Sequence, residues 1–193
     1  MSSWLVTSAV TAGAVQAGKY PRLRYLSDAI VRACLLLDLA LARLILAEGS
    51  SLHAATAQSG FPPADLMLEA VTAAPRPQLH TSISRGPVRM QHVIDEFVAR
   101  GWWSHVRPPR RLRRRYEPTD LTSAGVRNVV ADELANVLLM LFDGSIDTDD
   151  IEAEVARGQY GPATWLAGPV LRELAELRAW LHAVAATNPQ SGG

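Results

Sequence analysis

Ala29 to Ala47 is the longest apolar run of the chain, and it carries Arg32, Asp38 and Arg43. Ser27-Asp28 reads as the N-cap of a helix over AIVRACLLLDLALARLILAEG, closed by Gly49. Its leucines recur on more than one face, which predicts a central helix packed on most sides. Ionic side chains at mid-bilayer are costly, so a buried helix in a folded domain is favoured over a membrane span. A chain of 193 residues is long enough for one such domain.

The flanking sequence supplies helices to surround that centre. Residues 4–17 are mildly apolar without a basic segment before them, and do not read as a secretion signal. Residues 50–61 are small and polar, suited to a short hairpin or loop. Pro62-Pro63-Ala64-Asp65 opens an amphipathic helix that Pro75 and Pro77 stop, since proline lacks the amide donor of a helix interior. Val88, Val93, Ile94, Phe97 and Val98 recur at helical spacing before Gly101. Further helices are predicted at about 121–142, 151–157 and 169–186. The resulting expectation is one mainly α domain over 1–187 with a projecting basic β-hairpin, and a disordered tail at 188–193.

The charge is unevenly distributed. Lys plus Arg and Asp plus Glu both number 19, so the formal net charge is zero, yet Trp102–Tyr116, WWSHVRPPRRLRRRY, holds six arginines and no acid. These are Arg107, Arg110, Arg111, Arg113, Arg114 and Arg115. Two extended pieces, Trp102–Arg107 and Arg111–Tyr116, flank Pro108-Pro109, and Pro118 ends the second. Proline cannot take the positive φ of a tight primed turn, so the hairpin needs a wider tip. One of Trp102 and Trp103 is expected to anchor the hairpin while the other stays available. Such a segment suits an anionic partner, whether lipid, nucleic acid or acidic protein; the bland reading pairs its arginines with the acids at 143–154.

Little points to catalysis. Asp143, Ser145, Asp147 and Glu154 fall at positions one, three, five and twelve of a calcium loop, but Thr148 stands where that loop requires glycine. A loop ending in a helix N-cap is the favoured reading. His53, His80, His92, His105 and His182 lack metal-ligand spacing. Cys34, the single cysteine, lies in the apolar run and reads as core in a reducing compartment. No phosphate-cradling glycine loop or nucleophile elbow occurs, so neither an enzyme nor a bound cofactor or metal is expected.

Several segments are similar to the Golgi-phosphoprotein-3 family. IVRACLLLDLALARLIL (30–46) resembles its arginine-bearing helix, and FVARGWW (97–103) its helix end before a hairpin. RRYEPTDL (114–121) resembles its return into the next helix, and PPADLMLEA (62–70) a short family stretch. The likeness covers roughly residues 20–185 and identifies the chain as resembling a bacterial-type member. With the cytoplasm as the compartment expected from Cys34 and the lack of a secretion signal, the resemblance implies a helical, peripherally membrane-associated adaptor that binds anionic lipid headgroups, phosphoinositides among them. It also implies homo-oligomers through the hairpin and binding of membrane-protein tails. By this resemblance Arg32 matches a phosphate-binding arginine. The family's pocket tryptophan falls at Leu23, with Tyr25 the nearest aromatic; two further arginines fall at Pro87 and Met90, with Arg85 and Arg89 as neighbours. The headgroup set is therefore Arg32, Tyr25, Arg85 and Arg89. The alternative is a winged-helix-like nucleic-acid binder with the hairpin as wing. In that reading Arg89, Gln91 and His92 are the only obvious base-reading groups of the preceding helix.

Overall fold

In the computed structural model of the chain, which describes residues 4–17, 24–48, 51–75, 77–106, 115–118, 128–146 and 148–187, the apolar run forms helix α2 (Arg24–Leu41). Every residue from Ala29 to Ala40 is buried, Arg32 and Asp38 included. The helix stops eight residues before Gly49. Leu44 N donates to Leu39 O at 2.8 Å and Arg43 N to Ala40 O at 3.0 Å, with Arg43 at φ 58°. This six-to-one closure turns the chain outward through a left-handed arginine instead of the usual glycine. Ile45–Glu48 then forms β1, which pairs antiparallel with β2 (Ser51–Ala54). The last three residues of the apolar run, Ile45 to Ala47, are thus in a strand, and the short hairpin begins earlier than expected.

Ser27-Asp28 does not cap α2, which begins at Arg24. The Asp28 carboxylate instead accepts Met90 N at 2.8 Å, at the start of α5 (Met90–Ala99). A second acid of α2 works the same way. Asp38 accepts Val6 N at 3.1 Å and Thr7 N at 2.9 Å, in the first turn of α1 (Leu5–Gln16). It holds the positive end of α1 where no local side chain caps it.

Burial pushes the Asp38 carboxyl up to about 7, against the pull of the Thr7 and Val6 groups bonded to it. The folded protein therefore keeps a proton that the unfolded chain releases near pH 4. This contribution to stability is complete below about pH 4 and is lost as pH rises through about 7; its full size is on the order of 4 kcal/mol. Asp38→Ala should abolish that slope and lower stability at pH 7 by about 2 kcal/mol through the stranded α1 amides. Denaturant titrations at several pH values check this, and equal slopes in both proteins would contradict it.

The remaining elements enclose α2. They are α3 (Pro62–Ala73), α4 (Leu79–Arg85), the strands β3 (Trp103–Val106) and β4 (Arg115–Pro118), α6 (Val129–Asp143), α7 (Thr148–Arg157) and α8 (Thr164–Thr187). Among the described residues 73% are helical and the strands form only two antiparallel pairs, so the fold is mainly α. Asn128 caps α6 by accepting from Val130 N and Ala131 N; residues 121–127 of the expected helix lie outside the described residues. So does the 188–193 tail. Helix α8 starts five residues before Pro169, which sits in its second turn.

One end of the bundle can be traced from contacts. Asp38 sets α1 antiparallel to α2. Gly13 lets α1 approach α6, where a Cβ would lie 2.6 Å from Leu139 Cδ2. Arg178 Nη1 of α8 donates to Leu141 O at 3.0 Å and Ile146 O at 3.1 Å, at the C-terminus of α6. The start of α2 and the C-terminal ends of α1, α6 and α8 therefore share one end.

Candidate functional site

The hairpin forms, and the structure gives its register. Trp103 pairs with Pro118, Ser104 with Glu117, His105 with Tyr116 and Val106 with Arg115. The described return strand is Arg115–Pro118, which runs two residues past the expected piece; Arg111–Arg114 of that piece lie outside the described residues. Pro118 falls at the terminal pair, where a missing amide is tolerated. Arg107, Arg110, Arg111, Arg113 and Arg114 belong to the connection 107–114, outside the described residues, while the backbone of Arg115 lies in β4.

The base of this hairpin is packed aromatic surface. Trp103 is 2% exposed, its ring 5.5 Å from that of Phe97. Trp102 lies 5.6 Å from Phe97 and stacks at 6.4 Å on Phe61, which in turn stacks at 4.8 Å on Trp4. The Arg100 guanidinium covers Phe61 and Trp102 at 5.2 and 5.3 Å. Neither tryptophan is left over for a partner, because Phe61 supplies a second ring for Trp102 to meet.

From that base the ladder runs back along α5. Gln91 Nε2 donates to Tyr116 Oη at 3.2 Å, six residues before Phe97. The open end of the ladder, Val106–Arg115, thus lies toward the N-terminus of α5, and Arg89 immediately precedes that helix.

The resemblance-derived headgroup residues gather at this end, in unequal states. Arg85 and Arg89 are exposed, and Tyr25 is half-exposed with its hydroxyl donating to Ser84 O at 3.3 Å. Arg32 is 5% exposed. Its Nε donates to Ile83 O at 2.6 Å, Nη1 to Gly86 O and Val88 O at 3.0 and 3.1 Å, and Nη2 to Ser84 O at 3.2 Å. Four of its five N–H groups are therefore engaged by the last turn of α4 and the segment that follows it. Burial pulls the guanidinium below its ordinary value, and the Asp28 carboxylate pulls it back up. Gly86 admits the side chain: a Cβ there would lie 2.7 Å from Arg32 Cδ. Arg32 holds the strip of chain that carries Arg85 and Arg89, a role with no local sequence signal.

The other candidates are taken up by local structure or by the core. Thr148 begins α7, so the calcium-loop turn is replaced by helix, and Glu154 pairs with Arg157 at 2.8 Å. Asp143 caps its own turn by accepting Ser145 N at 2.9 Å. Cys34 is fully buried and burial pushes its thiol well up, as befits a core residue. Among the described residues no group of three His, Cys, Asp or Glu is placed to hold a metal, and no helix is long and apolar enough to cross a membrane. Protein-family models, curated proteins and solved structures give no match to the chain.

Proposed function

We propose that this protein is a non-enzymatic, cytoplasmic, Golgi-phosphoprotein-3-like adaptor that docks peripherally on anionic lipid through the arginines between β3 and β4. The observation that carries the reading is the Gln91–Tyr116 bond, which directs the open end of the hairpin toward Arg85, Arg89 and Tyr25. Each arginine near an anionic surface contributes on the order of 1 kcal/mol, so the six in 102–116 suffice for reversible recruitment. Arg32 serves as the positioning residue of this end rather than as a headgroup ligand. Self-association through the hairpin and capture of membrane-protein tails are secondary parts of the same proposal.

The composition of α5 weighs against the nucleic-acid alternative. In a winged-helix arrangement that helix would enter a groove, yet its outer face carries exposed Asp95 and, paired with Arg100, Glu96. Gln91, one of the three base-reading candidates, donates to Asp95 and Tyr116. Carboxylates there would meet phosphates.

Co-sedimentation tests the proposal, using phosphatidylcholine vesicles with or without about 30 mol % phosphatidylserine. The protein should pellet with the anionic vesicles only, and release as salt rises. Failure to pellet with them at low salt would sink the reading.

A further inference from the structure

Apart from the hairpin, the traced end of the bundle carries an apolar feature that the core does not use. Trp180 is 56% exposed and Val184, one turn later on α8, is 38% exposed. We propose that Trp180 and Val184 form an apolar anchor that enters the interfacial region of the same anionic membrane; this rests on the lipid-docking reading above.

Three observations carry it. Arg178 is tied to the carbonyls ending α6, which sets the last turns of α8 at the end where α2 begins and toward which the hairpin ladder opens. Trp180 follows Arg178 by two residues, about 200° around the helix, and so faces away from the acidic turn at Asp143. It shares its face with Glu173, seven residues earlier, which bonds His80 of α4. That flank leads to Arg85 and, through Ser84, to Tyr25. Finally, the acids of this stretch of α8, Glu173 and Glu176, both precede Trp180, and from Leu177 to Thr187 the helix has no carboxylate, so the end of α8 beyond Trp180 meets anionic headgroups without like charge. A tryptophan, apolar in body with one polar N–H, suits the bilayer interface, and an apolar insertion is the second signal that charge alone lacks.

Vesicles with acyl-chain-brominated phosphatidylcholine and about 30 mol % phosphatidylserine report insertion by quenching tryptophan fluorescence. The wild type should be quenched, and Trp180→Phe should still pellet while losing most of the quenching, since Trp4 and Trp103 are buried and Trp102 and Trp165 pack on the core. The Trp180→Ala, Val184→Ser double variant should bind about tenfold more weakly. Equal quenching of wild type and Trp180→Phe, or none in either despite pelleting, would overturn the anchor and leave lipid docking standing. No pelleting of the wild type would overturn both.

Discussion

Arg32→Ala should lower the unfolding free energy by about 4 kcal/mol, seen as a large drop in denaturant midpoint. The substitution strands the carbonyls of Ile83, Gly86 and Val88 in a region from which water is largely excluded, and leaves Ser84 O with the Tyr25 hydroxyl. Each unpaired buried acceptor costs roughly 1–3 kcal/mol, partly offset by relief of the guanidinium's own desolvation. Arg32→Lys should recover only part of the loss, because an ammonium cannot reproduce a planar fork that meets four carbonyls. A headgroup ligand would behave otherwise: Arg32→Ala would keep its midpoint and lose vesicle binding. An unchanged midpoint therefore contradicts the positioning role.

Replacing Arg111, Arg113 and Arg115 together with Ala should give the opposite pattern. At about 1 kcal/mol per arginine, affinity for anionic vesicles should fall about 100-fold. The helical circular dichroism and the denaturation midpoint should stay near wild type. The hairpin is held by Trp103 in the core, by the backbone ladder and by Tyr116 on Gln91, none of which needs those guanidinium groups. Binding that survives the triple substitution would remove the hairpin from the mechanism. A collapse of the midpoint comparable to Arg32→Ala would make these arginines structural.

Much of the architecture was legible because it follows local rules. Leucines on several faces of α2 mark a core helix, Pro62 and Pro75 bracket α3, and Phe97 with Gly101 marks the end of α5. What escaped depends on distant partners. Asp28 looks like a cap for its own helix but caps a helix 62 residues onward. Leu44 and Ile45 continue the apolar pattern of α2, so nothing local reveals the left-handed turn at Arg43. Helix α4 has no side-chain cap and buries only Ile83 and Ser84, too little periodicity to see in advance. The hairpin was foreseeable from its glycine and prolines. Its register was not, since the burial of Trp103 and the reach of Tyr116 to Gln91 set it. Arg32 shows the same limit: the family resemblance implied a phosphate partner, while its surroundings supply carbonyls.

Competition between the two anionic surfaces tests the central claim most directly. Wild-type protein is offered phosphatidylserine-containing vesicles together with duplex DNA of equal total charge at about 0.15 M salt, and the pellet is assayed. Docking on lipid predicts that the protein sediments with the vesicles despite the DNA. Protein left in the supernatant on the duplex would contradict it.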